Sequence, residues 1–486
     1  MSTQLIIGID IGTRGLKVVV ADTQLRILAE AAAGYGVSFP RPGWAEQDPL
    51  LWEKALGEAI PEALKSVGAG PGDIEAVGIA GQLDGCIATS KDGFPLAPCL
   101  IWMDRRADMP QEIAPASEFR RITGINPDPG HMAAKIRWLI DNEPDCRDAS
   151  VFHQPVSYMV SRLTGENVLD YGLASTTMLY SLKERGYDPG LLESFGIDRA
   201  LLPAIAEASS LAGRLNATGA ALTGLPKGLP VAVGTGDDFS SPLGAGLASP
   251  GRVACVIGTA EVVGALDTSL KIDETGLLET HEYPGGLYYI ENPGWLSGGA
   301  LVWFIKTFGI KNFKEMDRLA AQAPVGANEL TFIPALSGAM APKWVPTARG
   351  CFYGLTAMHG VEHMARAVLE GCAYAMRDVI ERWREMSVPV DSILLMGGGA
   401  RSDVWSQIRA DISGLPVEQS DRVDTSPVGA AMLAAVASGL QPDVSVCADL
   451  VKQTTLTLEP NNANRSAYDD SYAAYRRLFD SLQPMF

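Results

Sequence analysis

The sequence has no paired cysteine motif, no apolar run long enough to cross a bilayer and no cluster of basic residues, and each absence removes a class of function. Its seven cysteines, Cys86, Cys99, Cys146, Cys255, Cys351, Cys372 and Cys447, lie far apart without a CxxC spacing. That argues against a disulfide scaffold and against a zinc site, and fits reduced thiols. Nowhere do about 18 apolar residues follow one another without a charge. The opening MSTQLIIGIDIG carries neither the basic start nor the apolar stretch of a secretory signal. A cytoplasmic protein is expected. With 39 Lys and Arg against 57 Asp and Glu, the net charge of −18 repels nucleic acid and anionic membranes. Neither is an expected partner, whereas a small polar molecule is. A homodimer is compatible with the sequence.

What is present is an ordinary globular composition over 486 residues, 47% hydrophobic and 20% charged, which suits two domains. LIIGIDIGTRGLKVVVAD reads as two strands joined by a tight glycine turn. QDPLLWEKALGEAIPEALKSVG has helical spacing, and IEAVGIAGQLDG returns to a buried strand. Strands and helices alternate, so the expected fold class is α/β. The Ile-Gly-Thr of residues 11–13 recurs at 257–259, an echo separated by about one domain. The chain is therefore divided into 1–247, 252–440 and a helical end, 441–486, that could cap either domain.

GIDIGTRG would let backbone N–H groups and the Thr13 hydroxyl approach a phosphate. It is neither a Walker A loop nor a GxGxxG turn opening a helix, because the chain continues as a strand. Asp10 places a charge inside an apolar run, which is costly unless it meets a cation or donors. Magnesium, which keeps its waters and needs only one or two carboxylates beside phosphates, is the natural partner. A second puzzle is GTGDDFSSPLGAG, where Asp237 and Asp238 stand together among glycines and small residues.

The motifs GIDIGTRGLK, GIAGQLDG, LIWMDRRA, GTGDD, FIPALSG with ARGCFYGL, HMARAVLEG and GGGARSDVWSQIRADISGLPV together resemble the FGGY family of carbohydrate kinases, most nearly its xylulokinase branch. The likeness covers nearly the whole chain. It implies two actin-like, ribonuclease-H-like ATPase domains flanking a deep catalytic cleft, with ATP and Mg²⁺ as cofactors and phosphoryl transfer to a sugar hydroxyl. Asp237 maps onto the family's catalytic base. Asp238 departs from the usual Asn or Thr, and is read either as a contact to a substrate hydroxyl or as a helix cap.

The resemblance further implies sugar contacts from Gln82, Leu83 and Asp84 and from Trp102, Asp104 and Arg106. Nucleotide contacts are implied for Thr13 and Arg14, Gly258 and Thr259, and Gly398, Gly399, Ala400 and Ser402, with Asp10 and Asp237 at the metal. Asp84 stands where xylulokinases carry the His of a Gln-Met-His triplet. A histidine can donate to a carbonyl and an ionised carboxylate cannot, so the expected D-xylulose-like ketopentose competes with erythritol, a pentitol or another pentulose. A non-enzymatic ATP clamp of the actin and Hsp70 type is the alternative from another class, disfavoured by Asp237 and the sugar loops.

Overall fold

The computed structural model describes residues 4–111, 113–420 and 424–486. They form two compact units: residues 1–248, 281–288 and 424–452 make the first, and residues 249–280, 289–423 and 453–486 the second. The units interleave along the chain, unlike the continuous spans expected from sequence.

In the first unit the sheet order is Leu211–Arg214, Pro230–Ala232, Ile74–Gly81, Leu5–Ile11, Gly15–Asp22, Ile27–Gly34. Leu5–Ile11 is buried along its whole length, as a strand covered on both faces must be. It pairs antiparallel with Gly15–Asp22, Asp10 opposite Lys17, and parallel with Ile74–Gly81. The helix Pro49–Val67 lies within the stretch of helical spacing. The Asp48 side chain accepts from the Leu50 N–H, Pro49 occupies the first turn, and Gly68 ends the helix in the left-handed conformation.

A second helix, Ser426–Ala437, explains why residues 424–452 belong here. It is apolar on every side and its first ten residues are buried, the mark of a helix enclosed by protein. It lies against the sheet because Gly8 and Gly78 have no side chain: a Cβ on either would collide with the Pro427 or the Ala430 carbonyl. On the helix side, a Cβ on Gly429 would strike Ser240. Backbone-to-backbone approach of this kind tolerates only glycine.

The second unit repeats the arrangement. Ala260–Asp267, Gly251–Ile257, Val390–Met396, Val417–Gln419 and Leu456–Leu458 are successive neighbours in its sheet. Gly251–Ile257 pairs antiparallel with the strand after it and parallel with Val390–Met396. The Ile-Gly-Thr echo thus has a structural counterpart, since each copy ends the first strand of a hairpin beside a parallel neighbour. The final helix, Arg465–Leu482, buries Tyr468, Tyr475 and Phe479 in the core of the second unit.

Replacing Gly78 by Ala should cost about 1–3 kcal/mol, the usual price of overpacking, because the helix Ser426–Ala437 must move. Gly36→Ala, whose added methyl meets nothing within 4 Å, is the control. Urea unfolding that gives both variants the same midpoint would refute the role assigned to this contact.

Candidate functional site

The first unit gathers its carboxylates at the C-terminal ends of its strands. Asp10 is 6% exposed at the end of Leu5–Ile11. Burial lifts its pKa to about 6, against the opposing pull of Lys17 and of the Ser426 hydroxyl, which donates to Asp10 Oδ1 at 3.0 Å. Lys17 also pairs with Asp424. Sequence reading passed over Lys17, Asp424 and Ser426; the only signal was the small, apolar run SPVGAAMLAA after two polar residues.

Asp237 and Asp238 open a helix, Asp237–Gly244, with Gly236 as its cap and no side-chain capping bond. Asp238 is therefore not the cap. Both acids sit in the first turn, where the partial positive charge of the helix favours their ionised forms. Burial nevertheless dominates. It drives Asp237 well above the ordinary carboxylate value, with the charges of Asp238 and Asp10 adding to the rise. Asp238 rises to about 6 for the same reason, with Asp84 as its charged neighbour. Tyr35 feels both Asp10 and Asp237, and its hydroxyl donates to the Gly12 carbonyl at 2.6 Å.

Asp84 is held on every side. Its φ of 59° is left-handed, a conformation Asp tolerates better than most residues. Its N–H donates to Gln154 Oε1 at 3.0 Å and its carbonyl accepts from Lys135 Nζ at 2.7 Å. Burial works against its charge. The His131 imidazole, 3.1 Å from Oδ1, outweighs that with help from Lys135 and Thr176, so Asp84 stays below the ordinary carboxylate range. His131 and Lys135 are further residues that sequence reading missed. Leu83 lies against Gly236, the residue before Asp237.

The Trp102 loop divides in two. Trp102 is 45% exposed and its indole N–H donates to Thr13 Oγ1 at 3.0 Å. Asp104 is fully enclosed: it accepts from the Ala45 N–H at 2.6 Å and from the Arg106 guanidinium at 2.7 Å. Arg106 also pairs with Glu46 at 2.7 Å and lies over the Trp44 ring, 3.6 Å from its centroid. Arg106 and Asp104 thus satisfy one another inside the protein. Arg14 is exposed, and its carbonyl accepts from the Tyr35 N–H at 3.2 Å.

In the second unit Gly258 and Thr259 form an exposed hairpin turn, closed by the Gly258 N–H to the Ala260 carbonyl at 2.9 Å. The three residues Gly398, Gly399 and Ala400 do not act alike. A Cβ on Gly398 would meet nothing within 4 Å, whereas one on Gly399 would run into Ile257, and Ala400 is buried. Only Gly398 offers bare backbone to open space. Ser402 caps the helix Asp403–Ser413, accepting from the Trp405 N–H at 3.0 Å and donating to Asp317 at 2.9 Å.

The N-terminal family model of the FGGY carbohydrate kinases matches residues 5–244 and the C-terminal model matches residues 253–438. The chain belongs to the FGGY family of carbohydrate kinases. It is a phosphotransferase that acts on a carbohydrate hydroxyl. It is similar to a xylulose kinase of Escherichia coli K12, 32% identical with 99% of each chain covered, and to a glycerol kinase of Thermococcus kodakarensis, also 32% identical, with 92% of this chain and 91% of that one covered. Among solved structures, one described as a xyloylose kinase from Brucella ovis superposes with a TM-score of 0.92 at 30% identity, covering 99% of this chain and 100% of that one. No helix among the described residues is long and apolar enough to cross a membrane.

Because Arg106 balances Asp104 and Glu46 inside the protein, Arg106→Ala should lower unfolding free energy by about 3–5 kcal/mol, the cost of leaving a buried charge unpaired. A variant with parental denaturant stability but lost acceptor affinity would instead make Arg106 a substrate contact.

Proposed function

We propose that the protein is an ATP-dependent kinase of a small open-chain sugar, with a ketopentose such as D-xylulose favoured and a polyol of similar size as the second reading. The observation that carries the proposal is the gathering of Asp10, Asp237 and Asp238 in the first unit, Asp10 buried and the other two partly exposed, where withdrawal from water pushes each carboxyl towards its neutral form. Such a cluster needs a cation and a hydroxyl-rich ligand more than it needs another protein surface. The likeness to xylulose kinases supports the ketopentose and the likeness to glycerol kinases supports the polyol.

Asp237 is the base. An acceptor hydroxyl beside it loses its proton to the carboxylate as its oxygen attacks the γ-phosphorus. The elevated proton affinity of Asp237 suits that role once a cation keeps it ionised at the start. Among the described residues no group of three or more His, Cys, Asp or Glu side chains is arranged to hold a metal. Asp10 and Asp237 fit Mg²⁺, which would draw its other ligands from phosphate and water. When bound, that ion supplies charge neutralisation for the transferring phosphoryl group. Thr13 is assigned to phosphate from the first unit, and Gly258, Thr259 and Gly398 to the nucleotide from the second. Asp84 and Asp238 accept hydrogen bonds from acceptor hydroxyls.

Asp237→Asn should lower turnover by roughly 10² to 10⁴-fold while ATP binding and folding persist. ADP release coupled to a chromogenic reaction, run over pentuloses, tetritols, pentitols and glycerol, tests both the base and the acceptor class. Turnover within a few-fold of the parent would remove Asp237 from the role, and no acceptor-stimulated release on the panel would remove the kinase reading.

On the same panel Asp84→His should raise kcat/KM for D-xylulose relative to the polyols, since the new imidazole can donate to a carbonyl. A site built on such bonds discriminates by up to roughly 10⁴-fold. Unchanged relative rates would show that Asp84 does not read the acceptor.

A further inference from the structure

Gln82 and Trp102, assigned above to the acceptor, both lead to Thr13, assigned to phosphate. The link runs through Gln47, from the segment WAEQDP. Gln47 is 2% exposed and sits on the two-residue strand Glu46–Gln47, which pairs antiparallel with Cys99–Leu100 just before Trp102. Its Nε2 donates to the Thr13 carbonyl at 2.7 Å, and its Oε1 accepts from Gln82 Nε2 at 2.7 Å. The carbonyl of Thr13 can only accept, so the orientation of the Gln47 amide is fixed, and with it that of Gln82. Gln82 Oε1 is thereby left as a buried acceptor without a hydrogen-bond partner among the described residues. A buried acceptor of this kind is costly until a donor reaches it, and an acceptor hydroxyl is such a donor.

The second link is shorter. The indole N–H of Trp102 can only donate, so in its 3.0 Å bond to Thr13 Oγ1 the threonine hydroxyl accepts. The hydroxyl proton of Thr13 is then directed away from Trp102 and free to donate. Gln47 therefore fixes the backbone of the phosphate turn, and Trp102 sets its hydroxyl as a donor. Both bonds lie within the first unit.

We propose that Gln47 and the Trp102 indole N–H form a relay through which a bound acceptor sets Thr13 for phosphoryl transfer, making nucleotide turnover depend on the acceptor. The inference rests on the kinase reading above. In transfer, the acceptor oxygen forms a bond to the γ-phosphorus as the bond to the β,γ-bridging oxygen breaks, ADP leaves and the proton goes to Asp237. Water can take the acceptor's place, giving inorganic phosphate and ADP by the same bond changes. The relay keeps that second reaction slow. Gln47 is a positioning residue, touching neither substrate.

The experiment measures ADP release by the full chain with no acceptor and with D-xylulose, glycerol or erythritol, for the parent, Gln47→Glu, Gln47→Met and Trp102→Phe. Gln47→Glu keeps an acceptor for Gln82 and loses the donor to Thr13. Trp102→Phe removes the indole N–H together with the five-membered ring of a half-exposed side chain and keeps an aromatic face. The ratio of acceptor-stimulated to acceptor-free release should fall by about 5-fold or more in each variant, the scale of coupling between linked sites, with the KM for ATP little changed. A purely structural role would lower both rates together and leave the ratio alone. Parental ratios in Gln47→Glu and Trp102→Phe overturn the relay while the kinase reading stands. A parent without acceptor-stimulated release overturns both.

Discussion

Asp10, Asp237 and Asp238 lie together in the first unit, Asp10 buried and the other two partly exposed, and their withdrawal from water is the constraint on which the rest of the site depends. Desolvation raises all three, and Asp237 is raised further by its two neighbours. A fold can keep such a group only by supplying compensation. Here the compensation is a helix N-terminus under Asp237, the Ser426 hydroxyl and Lys17 at Asp10, and the His131 imidazole 3.1 Å from Asp84. These partners come from residues up to 416 positions apart in the chain. The cluster is therefore a product of the whole first unit. Its unbalanced negative charge is also what prepares it for a cation and for the proton of an attacking hydroxyl.

The route by which distant residues arrive is backbone contact. Ser426 reaches Asp10 because its helix lies directly on Gly8 and Gly78, and Gly429 lets the same helix approach the segment that begins at Asp237. One packed interface thus aligns the strand bearing Asp10 with the helix bearing Asp237. The interleaving of the two units along the chain is the topological consequence, since the aligning helix is contributed by residues 424–452.

Much of this was legible in the sequence where the signal was local. The paired glycine turns, the helix after Asp48, the two adjacent aspartates and the odd charge at Asp10 each announce themselves within a dozen residues. What sequence could not show was which polar atoms would be used up inside the protein. Asp104 and Arg106 belong to a motif that suggests ligand contact, yet they neutralise one another beneath two tryptophans. Gly399 fits a bare adenine platform, yet its missing side chain makes room for Ile257. Gln47 was invisible for the opposite reason, as a single amide whose importance lies in the two long-range bonds it makes.

Asp84 shows how a local substitution is absorbed by the fold. The position that carries histidine in the xylulokinase triplet carries a carboxylate here, and a carboxylate next to Asp238 would add a further repulsion to an already acidic region. The structure answers with His131, whose imidazole stands 3.1 Å from Asp84 Oδ1 and holds its pKa down despite burial. An imidazole is thus still present beside position 84, supplied by another segment and paired with an acceptor. The exchange replaces one donor by an acceptor with a donor behind it. That arrangement suits a ligand with neighbouring hydroxyls, because a hydroxyl can give its proton to Asp84 and still accept from elsewhere, while a carbonyl oxygen can only accept.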